Sequence, residues 1–346
     1  MMQYKLFGKT GLRVSELCLG TMTFGQEWGT GADKAESQRL FDAFVAAGGN
    51  FLDTANRYTE GTSERWLGEF VADRRDAFVI ATKYGLYDSL EDVNASGNHR
   101  KNMMRSVENS LRRLNTDYID LLWLHIWDNT TPIEEVLRGM DDLVRSGKVH
   151  YIGISDTPAW IVAKGNAIAE LRGWSSFVGL QIEYSLIERT PERDLLPMAA
   201  HFGMSITPWS PLGAGLLTGK YNQGMIQGVR LSEKSLKFNK PQNLAIARKV
   251  SEIATTLDAT SAQVALAWIR AKHPMMIPII GARTLDQLHD NLGVLTVQLS
   301  DEQLQTLDEI SAIDLGFPHE FMRLPAVRTN ALGGFDERIQ HRPYQV

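Results

Sequence analysis

Asp53, Tyr58, Lys83 and His125 each stand at or just past the end of a short apolar run. Asp53 follows Phe51-Leu52, and Tyr58 lies on the loop beyond it. Lys83 follows Val79-Ile80-Ala81-Thr82, and His125 follows Leu121-Leu122-Trp123-Leu124. These residue types in one place suit the reduction of a carbonyl, which needs hydride at carbon and a proton at oxygen. A free phenol titrates near pH ~10, and a neighbouring ammonium favours phenolate and draws that value down towards neutral. Tyr58 is thus the candidate acid, Lys83 its tuner, and Asp53 the carboxylate that anchors Lys83. His125 offers an orienting donor to the carbonyl oxygen. Taken singly, each residue has a structural explanation: a solvated loop charge, a satisfied core histidine, a surface aromatic. Four of them on separate strand ends, converging on one barrel mouth, point to chemistry.

The elements that must converge are legible as alternating patterns. The strand-like runs are Leu17–Gly20, Asn50–Leu52, Phe78–Thr82, Ile119–Leu124, Tyr151–Ile154, Val178–Ile182, Met204–Thr207 and Met276–Ile280. Helix-patterned segments lie between them: Lys34–Ala47, Ser63–Arg74, Lys101–Leu114, Pro132–Ser146, Pro191–His201 and Ser261–Lys272. Asp33, Thr131 and Thr190 are suitable N-caps, while Gly48, Gly147 and Gly203 sit where helices should stop. Eight β-α units from Leu17 onward match the roughly 250 residues of a (β/α)8 TIM barrel, α/β in class. A doubly wound open sheet would carry G-x-G-x-x-G after its first strand; Gly20-Thr21-Met22-Thr23-Phe24-Gly25 does not fit that pattern. An N-terminal β-hairpin across Tyr4–Val14, extra helices near Pro241–Leu257 and Asp301–Ile310, and a C-terminal tail from Asp314 complete the expected single domain, residues 1–346.

Composition narrows the partners. Hydrophobic residues at 43% suffice for a large core, and a net charge of −5 argues against nucleic acid, whose phosphates want a basic surface. The one cysteine, Cys18, excludes an intrachain disulfide and a cysteine-based zinc site. The N-terminus has no secretory pattern, and no run of about 18 apolar residues offers a membrane span. One His and one Asp at the strand ends are too few for a metal cage. The chain reads as cytoplasmic, without metal, nucleic acid or membrane among its partners; its oligomeric state is not legible.

Two loops carry the signature of an anionic cofactor. After the seventh strand comes Trp209-Ser210-Pro211-Leu212-Gly213-Ala214-Gly215-Leu216-Leu217-Thr218-Gly219-Lys220. Its glycines permit close backbone approach to a pyrophosphate, and Lys220 adds positive charge. The polar stretch Tyr221–Asn239 reads as an extension of this loop. After the eighth strand, Gly281-Ala282-Arg283 opens a helix. A guanidinium there matches phosphate oxygens and favours a 2′-phosphate, hence NADP(H) over NAD(H). Gln287 and Asn291, four apart, share a helix face that could reach ribose and adenine.

At these residues the chain resembles the aldo-keto reductase superfamily. The resemblance rests on Asp53, Tyr58, Lys83 and His125 in the contexts Leu52-Asp53-Thr54-Ala55, Ala81-Thr82-Lys83 and Leu124-His125. Phe7-Gly8-Lys9-Thr10-Gly11-Leu12 and Gly20-Thr21-Met22-Thr23-Phe24-Gly25 resemble the bacterial and fungal branch near aryl-alcohol dehydrogenases. The likeness runs from about Tyr4 to about Ile310. It implies NADP(H)-dependent reduction of aldehydes and ketones, with Trp209 stacked on the nicotinamide, Ser210 on phosphate, and Ser155, Asp156 and Gln181 at the carboxamide. Thr21, Leu212, Gly215, Lys220, Gly281, Arg283, Gln287 and Asn291 complete the implied cofactor set. The family commonly has asparagine where Asp156 stands. A carboxylate cannot donate a hydrogen bond, which leaves Ser155 and Gln181 more of that contact.

Met22, Phe24, Trp28, Tyr87 and Trp127, with the tail around Phe317–Phe321, are the expected substrate wall. Their apolar character suits aryl or alkyl carbonyls over charged sugars. The alternative is a cofactor-binding regulatory subunit like the channel-associated β-subunits of this fold, which NADPH consumption with an aldehyde panel would distinguish.

Overall fold

The structure is a computed structural model that describes residues 1–220 and 240–340; the expected loop extension at Tyr221–Asn239 lies outside the described residues. Its frame is an eight-stranded parallel sheet rolled into a barrel. The strands are β3 (Cys18–Gly20), β4 (Phe51–Asp53), β5 (Val79–Tyr84), β6 (Ile119–Leu124), β7 (Val149–Ser155), β8 (Phe177–Glu183), β9 (Ser205–Trp209) and β10 (Ile279–Ile280). They run in sequence order from β3 to β9, with β10 beside β3. The cylinder closes where the Ile206 amide donates to the Met275 carbonyl at 3.0 Å and the Ile277 amide donates to the Ile206 carbonyl at 2.8 Å. The last strand starts later than its apolar run because Pro278 has no N–H for the ladder.

Helices α1 (Lys34–Ala46), α2 (Thr62–Val71), α3 (Arg100–Leu114), α4 (Ile133–Arg145), α5 (Ala159–Arg172) and α6 (Leu195–Phe202) follow successive strands around the outside. Helices α8 (Ser261–Lys272) and α9 (Leu285–Leu292) complete the eight units, while α7 (Pro241–Thr256) and α10 (Asp301–Ile310) are the two extras. Their sequences explain why they pack. Along α4, Ile133, Val136, Leu137, Met140 and Leu143 are buried on one face, while Glu134 stays half-exposed on the other and pairs with Lys164. Asp33 caps α1 by accepting from the Glu36 amide at 2.8 Å, and α8 and α10 open with reciprocal Thr260/Gln263 and Ser300/Gln303 capping boxes. Two expected caps differ. The Thr131 hydroxyl turns to Asp128 at 2.8 Å, so Pro132 stands at the cap of α4. Thr190 opens only a single 3-10 turn, and its helix starts at Leu195.

Strand alternation sorts side chains between two cores. Leu52, Ile80, Leu122 and Ile152 point outward and pack under the helices. Phe51, Val79, Ala81, Leu121 and Trp123 point inward and fill the barrel with Cys18 and Ile279. The hairpin of β1 (Tyr4–Leu6) and β2 (Arg13–Ser15) closes the lower end. Phe7, just past β1, enters the barrel edge-on to Phe51 at 5.5 Å and to Trp123 at 6.2 Å. The inward positions one step higher on the same strands are Asp53, Lys83 and, beyond Leu124, His125. The lower barrel is therefore a packed floor, and the candidate site residues begin where that floor ends.

The tail forms α11 (His319–Arg323) and α12 (Pro325–Leu332), leaving the barrel where Arg193 donates to the Asp314 carbonyl at 2.7 Å.

Gly153 on β7 makes room for the floor: a Cβ there would lie 2.3 Å from the Trp123 ring. Gly153→Ala should therefore lower stability by about 1–3 kcal/mol through overpacking. Urea unfolding should report this as a lower midpoint at unchanged slope.

Candidate active site

Lys83 ends the inward row of β5, and its ammonium is fully buried. Its three protons have three acceptors: Asp53 Oδ2 at 2.5 Å, the Thr54 carbonyl at 2.8 Å and Tyr58 Oη at 3.1 Å. Burial is the largest single influence and by itself would discharge the group. Asp53 and Tyr58 together outweigh it and hold the lysine pKa above its ordinary value. Asp53 is fixed on its other side, where Gln181 Nε2 donates to Oδ1 at 3.0 Å. Behind them, Thr21, Thr54 and Ser63 share a buried hydroxyl cluster, with Ser63 Oγ 2.7 Å from Thr21 Oγ1 and 2.9 Å from Thr54 Oγ1.

Tyr58 is carried on a turn whose next residues, Thr59 (φ 46°), Glu60 (φ 54°) and Gly61 (φ 80°), are left-handed. For the two non-glycine residues this costs about 1–3 kcal/mol each. The Thr59 hydroxyl offsets part of it by donating to the Phe24 carbonyl at 2.6 Å and accepting from the Ser63 amide at 3.2 Å. Arg57 brackets the turn from outside through an ion pair with Glu60 and a hydrogen bond to Tyr87 Oη.

The sequence led us to expect a Tyr58 pKa drawn towards neutral; in the structure it lies above the ordinary value. Burial is the largest cause, Asp53 and Asp156 add to it, and the charge and hydrogen bond of Lys83 oppose it without prevailing. The phenol is a proton carrier at neutral pH, with a cation waiting for the phenolate it would leave. His125 meets the Tyr58 ring edge-on at 5.8 Å and is kept neutral by burial, with Lys83 adding to the effect. Its buried Nδ1 has no hydrogen-bond partner among the described residues.

A cavity of about 870 Å³ opens above this cluster and runs from Tyr58 and His125 past Trp209 to Arg283 and Asn291. Ser155, Asp156 and Gln181 line its middle. Ser155 Oγ is buried with no partner among the described residues, and Asp156 Oδ1 accepts from Trp209 Nε1 at 3.0 Å. Gln181 gives one of its two amide protons to Asp53. Ser210 and Leu212 line the wall, and Ser210 Oγ accepts from the Ala214 amide at 3.2 Å. Gly215 (φ 94°) and Lys220 lie side by side; a Cβ on Gly215 would come within 3.0 Å of the ammonium.

At the far end, the Arg283 guanidinium makes no ion pair among the described residues. The turn that carries Arg283 is locked to α9. The Arg283 amide donates to Gln287 Oε1 at 2.9 Å, and Asn291 Nδ2 donates to the Gly281 carbonyl at 3.2 Å. Thr21 is the one expected cofactor residue off the wall. It is fully buried, and its hydroxyl donates to the Asp53 carbonyl at 2.9 Å.

Of the expected substrate residues, Met22 and Trp28 line the cavity, Trp28 lying edge-on to Tyr58 at 6.3 Å. The other three sit elsewhere. Phe24 is fully buried against Phe70, Trp127 packs on the outer core, and Tyr87 lies under the Arg57 guanidinium. Phe317 and Phe321 are exposed and pack on each other at 6.0 Å, away from the wall. Sequence reading missed Leu86, Pro211 and Ile280, apolar lining residues with no chemistry to advertise them.

Comparison with known proteins points the same way. A family model described as Aldo/keto reductase family matches residues 16–312. The chain is similar to a norsolorinic acid reductase of Aspergillus flavus, at 39% identity over 92% of this chain and 83% of that protein. It is similar to the aldo-keto reductase ausK of Emericella nidulans, at 40% identity over 92% and 84%. It is also similar to an aryl-alcohol dehydrogenase [NADP(+)] of Phanerodontia chrysosporium, at 41% identity over 89% and 86%. Among the described residues no helix is long and apolar enough to cross a membrane, and no group of His, Cys, Asp or Glu could hold a metal ion.

Asp53→Asn should leave the Lys83 ammonium buried without its counter-charge and lower stability by roughly 3–5 kcal/mol. The double variant Asp53→Asn with Lys83→Met should regain a large part of that loss in denaturant unfolding. Equal losses in the two variants would show that the ion pair is not the cause.

Proposed function

This chain belongs to the aldo/keto reductase family, and on that premise we propose that it reversibly reduces aldehydes and ketones with NADPH, Tyr58 supplying the proton. It is an oxidoreductase of carbonyl and alcohol groups. The observation that carries the assignment of roles is the buried Lys83 ammonium, hydrogen-bonded at once to Asp53 and to the Tyr58 hydroxyl.

The bound nicotinamide supplies hydride; the remaining work belongs to side chains. Tyr58 holds its proton throughout the neutral range and gives it up as the substrate oxygen gains charge. Lys83 stabilises the phenolate left behind, and because it is already charged and fixed by Asp53, no reorganisation is needed at that moment. Neutral His125 donates to the substrate oxygen from one nitrogen and orients it. The buried Ser155 Oγ and the Trp209 ring fit a nicotinamide against the middle of the cavity, and Arg283 fits a phosphate at its far end. Met22, Leu86 and Trp28 favour an apolar or aryl carbonyl, in keeping with relatives named for an aryl alcohol and for norsolorinic acid.

Tyr58→Phe should lower kcat for aldehyde reduction by roughly 10²–10⁴-fold, with the Kd for NADPH nearly unchanged. Wild-type turnover by the phenylalanine variant would overturn the role of Tyr58. An absence of NADPH consumption by the parent protein across aryl and alkyl aldehydes would favour a non-catalytic cofactor-binding role.

The raised phenol pKa sets the sign of the pH dependence. Reduction needs the phenol, so this group leaves the rate level up to pH ~10 and lowers it beyond. Oxidation of the alcohol needs phenolate and should rise with pH over the same range. Initial rates in both directions from pH 6 to 11 check this. Arg283→Ala should raise the Kd for NADPH about 10–100-fold and that for NADH little, since a charged hydrogen bond contributes roughly 1.5–3 kcal/mol.

A further inference from the structure

Asp156 is a carboxylate facing the cavity between the proton-donating end and the Trp209 loop. It stands just past the end of β7 in a left-handed conformation (φ 40°), half-buried on the cavity wall. Oδ1 accepts from Trp209 Nε1 at 3.0 Å, and no other side-chain donor reaches the carboxylate among the described residues. Three other groups bear on its charge: Lys83 from β5, Glu183 from the end of β8, and Tyr58, whose phenol feels Asp156 in turn. His125, on the neighbouring strand end, is neutral. Burial is the largest influence on Asp156 and raises its pKa to about 6, with Glu183 adding to the effect and Trp209 and Lys83 opposing it.

The inference rests on the cofactor reading of this cavity. A hydride donor must sit where it can reach a carbon whose oxygen faces Tyr58, and the wall there is Ser155, Asp156, Gln181 and Trp209. The oxidised nicotinamide ring carries a positive charge, and the reduced ring carries none. We propose that Asp156 makes this site discriminate between the redox states of its cofactor by charge: ionised it favours the cationic oxidised ring, and protonated it favours the neutral reduced one.

The physics is that of two charges brought together out of water. A cation against the wall stabilises the carboxylate, whereas a neutral ring excludes water and leaves the carboxylate less solvated than before. In the second state Asp156 takes one proton from solvent and its new O–H can donate to an amide oxygen, which the carboxylate cannot do. Binding of the reduced cofactor is therefore coupled to proton uptake, and binding of the oxidised cofactor is not. Acid favours holding the reduced form, and alkali favours holding the oxidised form.

The test measures Kd for NADPH and for NADP⁺ by fluorescence quenching from pH 5 to pH 8. The 2′-phosphate also titrates near pH ~6, but it is common to both nucleotides and cancels in their ratio. For the parent protein, Kd(NADPH)/Kd(NADP⁺) should rise at least about tenfold across this range, since each pH unit between two linked pKa values moves the ratio up to tenfold. Asp156→Asn should flatten the ratio, and Glu183→Gln should keep its slope. If Asp156→Asn does not fold, calorimetric titration of the parent protein in two buffers of different ionisation enthalpy reads the same coupling. NADPH should then bind with more proton uptake than NADP⁺. A flat ratio, or equal proton uptake, with both nucleotides bound overturns the role of Asp156 and leaves the cofactor site standing. A slope that survives in Asp156→Asn does the same. Failure to bind either nucleotide overturns both.

Discussion

Taking the Lys83 ammonium out of water costs several kcal/mol, and the surroundings of that one atom account for much of the upper barrel. Its three protons need three acceptors: the Asp53 carboxylate at the end of β4, the carbonyl of the next residue, Thr54, and the Tyr58 hydroxyl on the turn beyond. Each acceptor must itself be held. Gln181 crosses the barrel from β8 to take the second oxygen of Asp53, and the Thr21–Ser63–Thr54 hydroxyls tie the start of α2 to the loops around it. One step further out, Glu64 is fully buried between the Thr82 hydroxyl and the Arg113 guanidinium, each at 2.5 Å. The charge is placed by a scaffold with little freedom to move.

That rigidity explains a division of labour around Tyr58. A phenol packed against a fixed cation could lose its proton permanently; burial prevents this by keeping the ground state neutral. In the role proposed for Tyr58, the ammonium then matters most when negative charge appears on the phenol oxygen, which is where stabilisation lowers a barrier. The left-handed turn through Thr59, Glu60 and Gly61 fits the same logic, since the backbone strain is held in place by hydrogen bonds rather than relieved.

The opposite end of the cavity is organised differently. Many polar groups of the Trp209 loop and the Arg283 turn are satisfied within the protein. The Gly213, Ala214 and Gly215 amides donate within their own loop, and Gln287 and Asn291 hold the turn at Gly281–Arg283. From there the Arg283 side chain and the Trp209 ring line the cavity. Long-range charge and stacking tolerate modest displacement, whereas the proton transfer proposed at Tyr58 requires fixed atoms.

The alternation of strand residues already separated these roles in the sequence. Reading β5 as Val79, Ala81, Lys83 and β6 as Leu121, Trp123, His125 gives an inward row that ends in a titratable side chain, because a strand has a period of two whatever surrounds it. The barrel, the placement of Asp53, Lys83 and His125 at strand ends, and most helix positions were legible for that reason. Where a hydroxyl or an aromatic ring on a loop would turn was not. Thr21, Phe24, Tyr87 and Trp127 were expected at the cavity and lie behind or beside it, since loop direction is set by partners distant in sequence, such as Ser63 for Thr21 and Phe70 for Phe24. The protonation of Tyr58 also belonged to the fold. A nearby lysine can be counted in a sequence, but the depth of burial that outweighs it exists only once the barrel has closed.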